Sequence, residues 1–243
     1  MSGPGAAHLA EQARASLALL ERIATRPGQF PRLAELQHWQ RCRLRDTYAD
    51  LRAQPRFEAA CAFFLEELYG GRDVLERDRQ LARALPVMRR LLPDHLLHAV
   101  GEAMRLQYVS LDFDVRLAAA LDGPLDQPAY ARAYRALDDW DGRVEQIELI
   151  ASLGVLLTDT VRRPMILRLV RWMRGPAMAS GFGRLQRFLE QGLGAFAAMG
   201  DDAMDFVRTI ETRERQALDR MRSGEDWPFS EWIGDGPDVV TVD

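Results

Sequence analysis

Apolar residues recur every three or four positions along almost the whole chain, and this helical period constrains the fold more than any other sequence feature. The clearest case follows Pro55, where Phe57, Ala60, Cys61 and Phe64 fall at the spacing of one helix face. Alternation of apolar and polar residues, which would indicate β-strands, is nearly absent. The sequence therefore predicts an all-α fold, a multi-helix bundle of about nine helices.

Proline and glycine divide this pattern into segments. The two longest uninterrupted stretches cover 94–121 and 142–161, and they predict two long central helices. The first stretch is apolar on more than one face, so we expect it to pack on several sides. The pattern also predicts one helix over 32–54, and a helix from Val74 that bends or restarts at Pro86.

The C-terminal part of the chain differs from the rest in composition. Residues 1–222 are predicted to form a single helical domain. Residues 223–243 are rich in Gly, Pro and Asp but also contain Trp227, Phe229 and Trp232. Such a segment either docks its aromatic side chains on the body of the protein or stays flexible.

The basic residues are unusual because all 32 of them are Arg, and the chain contains neither Lys nor Asn. Lysine Schiff-base chemistry and a P-loop lysine are therefore excluded. Lys and Asn codons are AT-rich, so the composition predicts a GC-rich bacterial source. The net charge of −4 argues against nucleic-acid binding, which usually needs a basic surplus.

Nothing in the sequence predicts secretion or a membrane span. The N-terminus has no basic start, and Glu11 and Arg14 interrupt any apolar run, so it does not resemble a signal peptide. The most apolar stretch, 147–157, is too short to cross a bilayer as a helix. Cys42 and Cys61 are predicted to be free buried thiols. We predict a cytoplasmic location.

The segment 162–187 contains seven Arg and no Asp or Glu. Guanidinium groups bind carboxylates and phosphates, and a Gly-containing turn before a helix offers N–H groups to an anion. The segment therefore favours a non-enzymatic helical protein that binds an acidic protein partner or a small anionic ligand. Alternatively, these Arg pair with carboxylates elsewhere in the chain. The candidate ligand-binding residues are Arg163, Arg168, Arg171, Arg174, Arg184 and Arg187.

Two other hypotheses follow from the helical spacing. If Glu35 and His38 met His98 and Glu102, the chain would be a carboxylate- and histidine-bridged, di-iron-like oxidoreductase. His95 lies one turn before His98, but a second Glu-x-x-His pair is missing, so we assign no metal ligand and no cofactor. The remaining hypothesis is a small-molecule pocket inside the bundle, lined by Trp and Tyr residues.

Two motifs carry a family resemblance. The octet Phe-Phe-Leu-Glu-Glu-Leu-Tyr-Gly at 63–70 is followed by Arg72-Asp73, and Arg-Gly-Pro-Ala at 174–177 leads to Leu-Gln-Arg-Phe-Leu-Glu at 185–190. Together they resemble an uncharacterised family of all-helical hypothetical proteins from proteobacteria, over about residues 30–220. The resemblance implies a bacterial, cytoplasmic, helical protein. It brings no established activity, so it assigns no functional residue.

Overall fold

The computed structural model describes residues 3–67 and 74–237, and within these ranges the regular structure is entirely helical, which confirms the all-α prediction. Short 3₁₀ turns cover Pro27–Gln29 and Gly200–Asp202. The helices are α1 (Pro4–Thr25), α2 (Leu33–Thr47), α3 (Ala49–Arg52), α4 (Pro55–Glu67), α5 (Val74–Leu91), α6 (Asp94–Ala120), α7 (Gln127–Leu137), α8 (Trp140–Val161), α9 (Pro164–Trp172), α10 (Arg174–Ala179), α11 (Gly183–Met199), α12 (Ala203–Arg222) and α13 (Ser230–Ile233).

Most helix boundaries lie within a few residues of the predicted ones. The two predicted long helices are α6 and α8, and α1 is as long as α8. The predicted helix over 32–54 is wrong, because Tyr48 leaves helical geometry, with φ −112° and ψ 23°, and separates α2 from α3. The predicted restart at Pro86 does not occur, because α5 continues through it. Ala84 and Met88, on either side of Pro86, are buried, so tertiary packing outweighs the hydrogen bond that proline removes.

Helix α6 forms the spine of the fold, as its several apolar faces predicted. It packs against α1, α2, α5, α7 and α8. Helix α8 in turn packs against α11 and α12. A Cβ atom at Gly154 of α8 would lie 2.5 Å from the Val207 side chain of α12, so this glycine allows the two helices to approach closely.

The buried apolar residues form three clusters. The first joins α2, α6, α7 and α12 around Trp39 and Tyr130, whose ring centroids lie 4.8 Å apart. Phe229 completes it and is only 1% exposed, although it belongs to the C-terminal segment. The second cluster joins α4, α11 and α12 through phenylalanine rings, and the third joins α1, α5 and the first half of α6. Cys61 belongs to the second cluster.

Both cysteines are buried and unpaired with each other, which confirms the prediction of free thiols. Burial raises the pKa of the Cys61 thiol to about 11, so this group stays protonated and unreactive near neutral pH. Among the described helices, none combines the length and the apolar character that a bilayer crossing requires.

A buried polar network connects α1, α5 and α6. The Asp78 carboxylate, 1% exposed, accepts hydrogen bonds from Ser16 Oγ at 3.0 Å and from Gln107 Nε2 at 2.6 Å. Arg77 donates to the other carboxylate oxygen at 3.2 Å, and its guanidinium lies 4.3 Å from the Phe188 ring centroid. Each charge is therefore compensated within the protein, as burial requires.

We predict that Asp78→Ala lowers the free energy of unfolding by about 3–5 kcal/mol, because it removes the buried carboxylate to which Ser16, Arg77 and Gln107 donate. Urea unfolding followed by circular dichroism measures this change. Asp205→Ala is the control, since Asp205 is 68% exposed and its 3.6 Å ion pair with Arg208 contributes less than about 1 kcal/mol. Equal losses in the two variants would contradict a structural role for the Asp78 network.

Candidate functional site

A partly open cavity of about 290 Å³ lies between α2, α4, α6, α8 and α12. Its walls are mainly apolar, and side chains of α1, of α7 and of the C-terminal segment also reach it. The volume lies at the lower end of the range of small-molecule sites, roughly 300–1,000 Å³. Of the Tyr and Trp residues expected to line such a pocket, Tyr48 and Tyr134 do so, whereas no Trp of the described residues does.

One group of polar side chains in the wall is hydrogen-bonded within the protein. Glu214 Oε1 accepts from Arg43 Nη1 at 2.6 Å and from the Tyr48 hydroxyl at 2.7 Å. The Arg43 guanidinium also lies 4.4 Å from the Phe229 ring centroid. Burial raises the pKa of Tyr48 well above its ordinary value, with the Glu214 charge adding to the effect. This group stabilises the wall of the cavity.

Asp114 of α6 is a buried carboxylate whose hydrogen-bond donors are neutral amides. Its oxygens accept from Gln40 Nε2 at 2.6 Å and from Gln37 Nε2 at 3.5 Å. Burial raises the pKa of Asp114 to about 6, and the Gln40 hydrogen bond and the Arg143 charge limit the rise. The group therefore changes its protonation state close to physiological pH.

Arg143 of α8 carries the charge that faces Asp114. Its guanidinium lies 3.8 Å from the Phe113 ring centroid and 4.1 Å from that of Tyr134, and Nη1 donates to Gln146 Oε1 at 3.1 Å. Nη2 is buried and has no hydrogen-bond partner among the described residues. A buried guanidinium donor without an acceptor is costly, so this position favours an acceptor supplied by a ligand.

The cavity thus combines an apolar volume, a cation with an unused donor and a carboxylate that titrates near pH 6. Convergence of a few polar groups with a perturbed pKa in an apolar pocket is typical of ligand sites. Sequence reasoning did not single out Asp114 or Arg143. The only signal was a charged residue at a core-facing position of each long helix.

The Arg-rich segment lies on a different part of the molecule, in α9, α10, α11 and the turns between them. Arg174 forms a bidentate pair with Glu190, with N–O distances of 2.6–3.0 Å, and Arg162 lies 3.6 Å from Asp201. Arg184 has an interaction partner of its own. Arg171 donates weakly to the Leu167 carbonyl. Arg163, Arg168 and Arg187 form no ion pair with a carboxylate of the described residues.

Helix α9 is the most exposed of the longer helices, because none of its residues is buried. Met165 is 77% exposed and Trp172 is 82% exposed. Together with Arg168 they occur at i, i+3 and i+7, so the three side chains share one face of the helix. We call Met165, Arg168 and Trp172 the α9 face.

The four residues of the di-iron hypothesis do not converge, so that arrangement is wrong. Glu35 pairs with Arg32 through two 2.9 Å hydrogen bonds, and His38 Nε2 lies 3.8 Å from Cys42 Sγ. His98 and Glu102 instead meet a third side chain that the sequence did not single out. That side chain is His8 of α1, separated from His98 by ninety positions, and no local spacing could reveal the contact.

A family model described as a domain of unknown function, DUF8198, matches residues 20–228. The chain belongs to the DUF8198 family. This agrees with the uncharacterised family that the two motifs indicated, while the last three residues of its octet, 68–70, lie outside the described residues. No curated protein and no solved structure is detectably similar to the chain. The DUF8198 description carries no activity, so function rests on the geometry.

We predict that Asp114→Asn stabilises the protein at about pH 8 by roughly 3 kcal/mol, because the folded state then no longer holds a desolvated carboxylate. The folded-state pKa lies above the unfolded one, so this cost is present above about pH 6 and shrinks as the folded carboxylate is protonated. At about pH 5 the difference between variant and wild type should fall by about half. Urea unfolding at both pH values measures it; a pH-independent difference would contradict the raised pKa.

Proposed function

We propose that this protein binds a small molecule with an apolar body and one anionic group inside the cavity between α2, α4, α6, α8 and α12. The observation that carries the proposal is Arg143, a buried cavity-lining cation whose Nη2 has no hydrogen-bond partner among the described residues. An anionic oxygen placed there supplies the missing acceptor, and the apolar walls cover the rest of the ligand.

Asp114 makes the binding of an anionic ligand depend on pH. Above about pH 6 its negative charge opposes a second anion in the cavity, and below that value its proton removes the repulsion and offers a donor. The protein therefore favours an anionic ligand more strongly on the acidic side of neutrality. The role is that of a carrier or sensor, since the lining nucleophiles Cys61 and Ser110 have no hydrogen bond to a carboxylate or histidine among the described residues.

The probes for this site are octanesulfonate, which stays ionised at every pH used, and octanol, which has the same chain length without the charge. Isothermal titration of the full chain should show octanesulfonate binding that weakens at least about tenfold in Arg143→Met, since a charged hydrogen bond contributes about 1.5–3 kcal/mol. Met keeps an unbranched side chain against the Phe113 and Tyr134 rings. Arg132→Met, at a 51% exposed position of α7, is the matched control.

Two results would contradict the cavity proposal. One is equal binding of octanesulfonate to the Arg143→Met and Arg132→Met variants. The other is octanol binding as tightly as octanesulfonate to the wild type, because the cation would then contribute nothing. A further readout is pH, since octanesulfonate binding should tighten between about pH 8 and pH 5 in the wild type but not in Asp114→Asn.

A second candidate function is supported by the α9 face. Exposed Met165 and Trp172 flank Arg168, and the nearby Arg163 and Arg187 likewise form no ion pair with a described carboxylate. Exposed apolar side chains interleaved with cations fit an acidic protein surface that carries apolar groups of its own. We propose such a protein as the partner of this segment, with Arg171, Arg174 and Arg184 at its margin.

A synthetic amphipathic helix with Glu on one face and Leu on the other tests this second candidate. Fluorescence anisotropy should show binding at least about tenfold weaker for Arg168→Glu than for Arg208→Glu, whose parent Arg208 is 69% exposed on α12. Equal weakening in both variants would indicate non-specific attraction and contradict the α9 face. Binding to phosphatidylglycerol vesicles without binding to the peptide would contradict a protein partner.

A further inference from the structure

We infer that His8, His98 and Glu102 form a binding site for a divalent first-row metal ion such as Zn²⁺, Co²⁺ or Ni²⁺. One ligand atom from each residue lies within 4.8 Å of the other two, and this is the only such group of three or more potential ligands among the described residues. The site lies on the outer side of α1 and α6, and its residues do not line the cavity. The inference is independent of the proposed function.

The geometry is close to that of a coordinated ion. His98 and Glu102 are four residues apart on α6, so their side chains leave the same face of the helix. His8 of α1 faces them, with its ring centroid 5.0 Å from that of His98. Bonds of about 2.0–2.2 Å place neighbouring ligand atoms roughly 3–3.5 Å apart. The observed separations, from 2.6 Å to below 4.8 Å, bracket that value.

The His8 nitrogen is available for a metal. His8 Nε2 lies 2.6 Å from Glu102 Oε1, yet it makes no hydrogen bond, because the direction of approach is unsuitable. The atom is also buried from solvent. A histidine nitrogen binds a metal in its deprotonated form, so a bound ion would take the place of any proton between these two atoms.

Backbone features hold α1 in the required place. The Asp94 carboxylate accepts from the backbone N–H groups of Gly5 at 3.0 Å and Ala6 at 3.1 Å, which fixes the start of α1 on the start of α6. A Cβ at Gly101 would lie 2.5 Å from His8 Cδ2, so the imidazole rests directly on the α6 backbone between His98 and Glu102. Ligands on two fixed helices form a preorganised site.

The ligand set selects the class of ion. Two imidazoles and one carboxylate favour borderline first-row ions over Mg²⁺ and Ca²⁺, which prefer oxygen ligands alone. Three protein ligands leave a tetrahedral zinc ion one position for water or a small anion. Arg105 lies 3.7 Å from the second Glu102 oxygen and also pairs with Glu145, so it does not occupy the side of Glu102 that faces His8.

Titration of the full, untagged chain with zinc chloride tests the site. We expect one equivalent of Zn²⁺ to bind, with affinity at least tenfold weaker in His98→Ala and in His8→Ala. His95→Ala is the matched control, because His95 is exposed on the same helix but is absent from the cluster. His98 is itself exposed, so its replacement keeps the fold, and circular dichroism verifies this for each variant.

Cobalt binding identifies the ligands directly. Co²⁺ in the proposed site should give visible d–d absorption without a thiolate charge-transfer band, because neither His8, His98 nor Glu102 supplies sulfur. A thiolate band that disappears in Cys42→Ser would place the ion at His38 and Cys42 instead and overturn the inference. No heat of zinc binding above the buffer blank, or equal weakening in His95→Ala and His98→Ala, would also overturn it.

Discussion

The buried Asp78–Arg77 pair is the interaction on which the arrangement of the other helices depends. Ser16 of α1 and Gln107 of α6 both donate to the Asp78 carboxylate from α5, so three helices meet at one charge. Burying an ion is costly unless its hydrogen bonds are complete, and completing these bonds fixes the register of α1 against α6. The same register brings His8 onto His98 and Glu102 further along the two helices. A network that stabilises the core therefore also positions the proposed metal ligands.

Because the chain contains no lysine, the cations described in its interior are arginine guanidinium groups. Arg43, Arg77 and Arg143 are each at most 6% exposed, and each guanidinium lies over an aromatic ring. The planar, weakly hydrated guanidinium can stack on a ring and still donate in its own plane, whereas an ammonium would lose more hydration on burial. Buried cations of this kind are compatible with a dense helical core. They also provide directed donors within it, such as Arg143 Nη2, which has no hydrogen-bond partner among the described residues.

The sequence predicted the local structure better than the sites, and the residues show why. The boundaries of α6 and α8 follow from nearby Pro, Gly and apolar spacing, because helix ends depend on local chemistry. The break at Tyr48 depends on a hydroxyl that reaches Glu214, more than 160 positions away, and no local signal encodes it. The same limit applies to His8 with His98 and to Asp114 with Arg143. The Arg-rich segment was visible because its signal is composition, yet only the structure distinguishes paired Arg174 from Arg168 on the exposed α9 face.

Asp78 and Asp114 are both buried carboxylates, but their surroundings differ, and the difference distinguishes a structural role from the proposed binding role. Asp78 has a hydroxyl, an amide and a guanidinium as donors. Among the described residues Asp114 has only amides as donors, burial raises its pKa to about 6, and the Arg143 Nη2 donor is unused beside 290 Å³ of space. A protein selected for stability alone gains from filling that space and completing those bonds. The proposed ligand would fill this cavity and supply the acceptor that Arg143 Nη2 lacks among the described residues.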